Sequence, residues 1–294
     1  MRGSFVEDEY QLVQQRKRER LFGKVPLRGQ GLEIGPLSRP LVMKSLHQVK
    51  YVDHCSTEEL IEKYPTTDEH ISGIYDVDLI WNEKTILEIN SGAKVDYIVA
   101  SHVIEHVPNP VGWLAEVREA LNENGFLYLV IPDKRFTFDA FRSVTSIQEI
   151  REAAQDSRRK PGWRSIIDHF VNVRQIDTWQ TWDNYESINE AEPHHNLADL
   201  KNALDEFEKG KYIDIHATVF TPWSFFEFMR IAQDEFQVNF KIVDFLTTQD
   251  HDLEFYVVLQ KVSIQEEDWQ NLAADVFSAA NWPVSHEKYR YNAQ

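Results

Sequence analysis

Residues Gly31–Pro40 read GLEIGPLSRP, and Val49–His54 read VKYVDH. Two short apolar runs flank a glycine turn, and Asp53, twenty residues beyond Glu33, closes the second run. This order predicts a strand over Gly31–Ile34, a turn at Gly35, a helix over Leu37–His47 and a second strand over Val49–Asp53. A glycine turn lets backbone N–H groups approach a ligand closely. A carboxylate at the tip of the next strand can accept both hydroxyls of a ribose. Together they predict a site for a nucleoside-containing small molecule. Only Gly35 is a glycine in this turn, which excludes the GxGxxG of nicotinamide-binding folds, and no GxxxxGK[ST] phosphate loop occurs in the chain.

Outward from this core the alternation continues. Thr57–Tyr64 reads as a short helix with Thr57 as N-cap, and Gly73–Asp78 as a third strand. Val95–Ser101 is a continuous apolar run, suited to a strand buried on both faces. Pro110–Leu121 carries Val111, Leu114, Val117, Ala120 and Leu121 at helical spacing. Asn122–Gly125 reads as its left-handed stop, and Phe126–Ile131 as strand five. The alternation then breaks. Asp133–Asp214 is polar and aromatic, too long for a bare loop, and predicts a mostly helical lid or small lobe. Thr221 and Pro222 open a helix over Trp223–Phe236. Val238–Leu246 and Leu253–Lys261 are strands whose short link cannot make a parallel crossover, so they pair antiparallel. The predicted organisation is a helical or flexible leader over 1–28, a main domain over 29–262 with 133–214 inserted, and a helical tail over 263–294.

Val95–Asp139 reads VDYIVASHVIEHVPNPVGWLAEVREALNENGFLYLVIPDKRFTFD. With LEIGP, YVDH and KIVDFLTTQDHDLEFYVVLQK, it resembles the core of class I S-adenosylmethionine-dependent methyltransferases. The resemblance extends over residues 31–261 and is poor inside 145–214. IPDKRFTFD and DIHATVFTPWSF resemble a bacterial subgroup associated with polysaccharide or secondary-metabolite pathways. The resemblance implies an α/β, Rossmann-like fold: a seven-stranded, mostly parallel sheet with an antiparallel last strand and a helical insertion after strand five. It implies S-adenosyl-L-methionine as cofactor. The chain departs from the family's ExGxGxG by placing Leu37 and Arg39 where later glycines stand. By the same resemblance, Glu33 orients the turn and the amino-acid end of the cofactor, and Gly35 permits close approach. Asp53 accepts the ribose, and Asp78, with Asp76 as competitor, accepts from the adenine amino group. Ser101 and His102, at the carboxyl end of strand four, border the methionine part.

Methyl transfer to a hydroxyl needs alignment and a base, and histidine suits that base because its pKa lies near neutrality. His216 is the first candidate, in DIHATVFTP beside the predicted helix at Thr221, with Asp214 to orient its ring. His169 is the second, ahead of His194 and His195. His102, Glu105 and His106 have a spacing that could bind a metal, but structural hydrogen bonding is commoner for such a trio, and no metal is expected. A net charge of −17 disfavours nucleic acid as a partner. The basic clusters QQRKRER at Gln14–Arg20 and SRRK at Ser157–Lys160 read as solvated helix faces. Cys55 is the only cysteine, so no intrachain disulfide or CxxC metal site exists. No apolar run reaches the roughly 18 residues of a membrane span, and no signal segment is evident. The expectation is therefore a cytoplasmic methyltransferase acting on a small polar acceptor, a hydroxyl of a sugar or glycosylated intermediate. An aromatic or amine natural product is the alternative acceptor, and a non-catalytic cofactor-binding protein of the same fold is the rival from another class.

Overall fold

The computed structural model describes residues 2–64 and 73–263. Its strands are β1 (Gln30–Ile34), β2 (Gln48–Asp53), β3 (Leu79–Ile80), β4 (Val95–Ser101), β5 (Leu121–Pro132), β6 (Phe240–Leu246) and β7 (Glu254–Lys261). They form one seven-stranded sheet in the order β3-β2-β1-β4-β5-β7-β6. The pairs β1–β2, β1–β4, β2–β3 and β4–β5 are parallel. β7 runs antiparallel to both β5 and β6. The chain reverses its direction across the sheet between β1 and β4, and open α/β sheets bind ligands in the crevice beyond the carboxyl ends at such a point.

The helices are α1 (Arg2–Phe22), α2 (Thr57–Lys63), α3 (Ile86–Ile89), α4 (Pro110–Ala120), α5 (Ile147–Gln155), α6 (Trp163–Asn172), α7 (Thr178–Asp183), α8 (Leu197–Glu208) and α9 (Pro222–Asp234). Alternation along β4 sorts the two sheet faces. Ile98 and Ala100 join a core with Leu114 and Val117 of α4 and Phe225 and Phe228 of α9. Tyr97 and Val99 join the opposite core, closed by Leu21 of α1 and by Leu41 and Val42. Two smaller clusters lie apart from the two sheet faces, built mainly by residues that follow β5. Phe136 lies flat against Trp182 with ring centroids 4.0 Å apart, and Ile166, Ala203 and Ile215 form a second cluster.

The predicted helix over Leu37–His47 does not form. That segment is a series of turns, with Arg39 N–H donating to Pro36 O at 2.8 Å and His47 N–H to Met43 O at 3.0 Å. Pro40 has no N–H to give a helix. The N–H groups of Leu41 and Val42 are captured instead by the buried Glu33 carboxylate. Gly73–Asp78 is not a strand; β3 is only Leu79–Ile80. The N-cap of α2 is Ser56, one residue before the expected Thr57, and its hydroxyl accepts from Glu59 N–H. Asn124 is left-handed, with φ of 62°, but it lies inside β5, which begins directly after α4. The tail expected at 263–294 falls, apart from residue 263, outside the described residues.

α9 begins with a capping box in which Thr221 Oγ1 accepts from Ser224 N–H at 3.2 Å. Thr221 is buried, so water cannot replace the lost acceptor. Thr221→Ala is expected to lower stability by about 1 kcal/mol. Urea unfolding would show this as a lower midpoint with an unchanged slope; an unchanged midpoint would refute the cap's contribution.

Candidate functional site

Glu33 is 1% exposed, and its two oxygens accept from Leu41 N–H at 2.7 Å and Val42 N–H at 2.9 Å. Burial pushes its pKa up to about 7, with the two N–H groups and Arg18 holding it down. The carboxylate thus shapes the 37–42 loop from below. Arg18 clamps the same loop from outside, its guanidinium donating to Leu41 O and Pro40 O. Gly35 has φ of 66°, Leu37 47°. Leu37 stands where the glycine-rich pattern has a glycine, and it keeps a glycine-type backbone at a cost of order 1–2 kcal/mol. Leu37 thus keeps the conformation of the glycine it replaces, whereas Arg39, at the next glycine position, has no positive φ.

Asp53 closes β2 with its carboxylate buried. Oδ1 accepts from His54 N–H at 2.8 Å and faces His54 Nδ1 at 2.7 Å. Oδ2 is buried with no hydrogen-bond partner among the described residues. A buried carboxylate oxygen without a donor is costly, and a ribose hydroxyl is the donor such a position would take. Asp78 is already engaged: its Oδ2 accepts from Tyr51 N–H at 2.6 Å and pairs with Lys44 Nζ at 2.6 Å.

At the carboxyl end of β4, Ser101 is followed by His102, which has φ of 54°. His102 Nε2 lies 2.7 Å from Glu254 Oε2. Glu254 opens β7, is fully buried and also pairs with Lys17 Nζ at 2.7 Å. Burial opposes its ionisation, but Lys17 and His102 hold its pKa at about 2. Lys17 and Arg18 therefore overturn the reading of the Gln14–Arg20 cluster as a solvated face. The pertinent sequence signal was Glu254 itself, a carboxylate directly before the apolar run Phe255–Leu259.

The acceptor-side candidates gather near the 3-10 turn Ile104–His106. His216 is buried, and its Nδ1 lies 2.5 Å from Asp139 Oδ2. Asp139 is held in turn by Arg142, whose Nη1 donates to Asp139 Oδ1 at 2.8 Å and to His216 O at 3.0 Å. Burial works against the charge on Asp139, yet His216 and Arg142 hold its pKa at about 2. Asp214, expected to orient His216, instead faces His106 Nδ1 at 2.9 Å and pairs with Lys63 at 3.1 Å. Asp139 lies within IPDKRFTFD, where nothing local marks its partner 77 residues away. The His106 and His216 rings meet edge to face at 4.8 Å. His169, on α6, packs on Phe170 and on Phe138, which also touches His216. Burial, with Arg142 adding to it, pushes its pKa down to about 3, so the ring is neutral and a weak proton acceptor. His194 and His195 lie together on the lobe, with His195 against His169.

A cleft of about 640 Å³ opens among residues 142–168, the start of α4 and the 217–218 segment, lined among others by Pro108, Arg142, Trp163, Asp168 and Thr218. None of the cofactor-side candidates lines it. It adjoins the His216 segment through Arg142 and Thr218, and its volume is that of a small-molecule site.

The sequence profile of a family described as "Methyltransferase domain" matches residues 5–208. No curated protein matches. Among solved structures, a SAM-dependent methyltransferase of Thermotoga maritima, titled a possible histamine N-methyltransferase, is 16% identical with a TM-score of 0.38, covering 88% of this chain and 97% of its own. A putative S-adenosylmethionine-dependent methyltransferase of Listeria monocytogenes is 9% identical with a TM-score of 0.42, covering 85% and 98%. PKMT2 of Rickettsia typhi, solved in complex with AdoHcy, is 16% identical with a TM-score of 0.38, covering 86% and 54%.

Proposed function

The chain belongs to the methyltransferase-domain family, and from that premise we propose that it moves a methyl group from S-adenosyl-L-methionine to a hydroxyl of a small polar acceptor, a sugar or glycosylated intermediate. The observation that carries the hydroxyl reading is the His216–Asp139 pair, with Nδ1 and Oδ2 2.5 Å apart. An alcohol needs a proton acceptor, and a ring held by a carboxylate through Nδ1 presents Nε2 for that proton.

The unpartnered Asp53 Oδ2 and the glycine-type turn at Gly35 and Leu37 fit the cofactor. Asp53 would take its ribose, and the 37–42 loop, shaped by Glu33, would lie along its amino-acid end. Ser101 and His102 would border the methionine part. Asp78 would act through Tyr51 and Lys44 unless it is released to the adenine. The cofactor supplies an electrophilic methyl carbon, which bonds to the acceptor oxygen as the C–S pair stays on sulfur. His216 takes up the hydroxyl proton at Nε2 or holds the acceptor oxygen, while Asp139 keeps its ring in place. His169 lines the acceptor side as a neutral ring, and the lobe over Asp133–Asp214 shields the transfer from water.

No helix among the described residues is long and apolar enough to cross a membrane. The net charge of −17 supports small-molecule partners rather than nucleic acid, and a cytoplasmic location is part of the same proposal. Trp163 in the cleft wall favours a flat aromatic acceptor as the second reading.

The test is incubation with methyl-labelled cofactor and panels of hydroxylated sugars, phenols and amines. Label recovered as an O-methyl ether of a sugar is the expected result. Label only on phenols or amines would replace the acceptor class. S-adenosylhomocysteine binding with no transfer to any panel would favour a cofactor-binding protein without turnover.

A further inference from the structure

We infer that Glu105, His106 and His216 bind a divalent transition-metal cation of the zinc or ferrous class. One ligand atom from each lies within 4.8 Å of the other two. Glu105 is 1% exposed, and neither of its carboxylate oxygens has a hydrogen-bond partner among the described residues. His102 Nδ1 stands 3.6 Å from Glu105 Oε1, beyond hydrogen-bond reach. A carboxylate buried with both oxygens unsatisfied is costly unless something positive completes it.

The two histidines are arranged as ligands. Each gives Nδ1 to a carboxylate: His106 to Asp214 at 2.9 Å and His216 to Asp139 at 2.5 Å. Such outer carboxylates fix the tautomer, orient the ring and leave the Nε2 lone pair for a metal. They are themselves anchored, Asp139 by Arg142 and Asp214 by Lys63. The ligand-bearing segments are stitched together by backbone contacts. Thr218 N–H donates to Glu105 O at 2.9 Å, and Tyr212 hydroxyl to His106 O at 2.9 Å. A cation at the usual ligand distances of about 2.0–2.2 Å would draw the three side chains slightly inward. Two imidazoles and one carboxylate leave further positions for water or an acceptor oxygen. His102 is not in the set: the ligand atoms that lie within 4.8 Å of one another are those of Glu105, His106 and His216. The metal-compatible trio of the linear sequence is thus replaced by one in which His216 stands in for His102.

The inference rests on the proposed O-methylation for its purpose, and with a cation bound it replaces proton uptake at His216 Nε2 by ligation there. With Nε2 on the cation, His216 acts on the acceptor oxygen through the metal, which lowers the hydroxyl's pKa so that its proton can leave to solvent water.

The experiment uses the full chain, stripped with chelator and dialysed. Titration with Co2+ is expected to give one equivalent bound, with the visible absorption bands of a protein-ligated site, and Zn2+ is expected to raise the thermal midpoint. Glu105→Gln should abolish both effects. Asp214→Asn, a change at a partly exposed outer partner that leaves the fold least disturbed, should weaken Co2+ binding by about 10–100-fold. Wild-type protein that binds no Co2+ beyond the level of Glu105→Gln overturns the site, as does unchanged affinity in a folded Asp214→Asn. Labelled methyl transfer and S-adenosylhomocysteine affinity are measured on the same samples. Cation binding without transfer would refute the activity and keep the site. Undiminished transfer by metal-free protein that binds no cation would refute the site and keep the activity.

Discussion

His216→Gln is expected to lower turnover by about 10²–10⁴-fold, the usual contribution of a positioned base, while leaving S-adenosylhomocysteine affinity nearly unchanged. Glutamine keeps a polar side chain beside Asp139 but offers no basic ring nitrogen. The residue lies against His106 and Phe138. None of the cofactor-side candidates Glu33, Gly35 or Asp53 has a hydrogen bond or ring contact with it. The expected signature is therefore a fall in kcat with cofactor affinity retained. Asp139→Asn should lower turnover as well, because the carboxylate keeps the ring proton on Nδ1. A folded His216→Gln protein with wild-type turnover would remove His216 from the chemistry. The proton acceptor would then be sought at His102 or His195, since burial leaves His169 a weak base.

Asp53→Ala is expected to weaken cofactor binding by about 1.5–3 kcal/mol, the scale of a hydrogen bond to a charged group, or about 10–150-fold in Kd. The expectation rests on Oδ2, which is buried and has no partner among the described residues. Alanine also releases the neighbouring ring, since Oδ1 faces both His54 N–H and His54 Nδ1. His54→Ala is the control that separates the two. It removes the ring contact and leaves the carboxylate, so it should cost much less affinity. Calorimetry with S-adenosylhomocysteine reads both variants. Unchanged affinity in a folded Asp53→Ala protein would end the ribose assignment.

Six of the seven strands, the antiparallel pairing of the last two and the position of Asp53 were legible in local sequence, whereas the third strand lies at Leu79–Ile80 and not at Gly73–Asp78. Strand periodicity, the apolar run at Val95–Ser101 and the short link between the last two strands depend only on neighbours along the chain. β4 and the β6–β7 pairing follow that reading. Asp53 needed no more than its place at the end of an apolar run. The tertiary structure decided what that reading could not reach. Leu37–His47 has helical composition, but a helix there needs the N–H groups of Leu41 and Val42, and the buried Glu33 carboxylate takes both. Once Glu33 is dehydrated in the sheet, satisfying it outweighs helix propensity, which amounts to only tenths of a kcal/mol per residue. Lys17 reaches Glu254 across 237 residues, His102 reaches Glu254 across 152 and His216 reaches Asp139 across 77. Nothing in the spacing of those residues announces such pairs. They arise because sheet topology brings the ends of β4 and β7, the start of the lobe and the returning His216 segment to one edge. Buried charges brought there must find partners among whatever the fold has placed within reach.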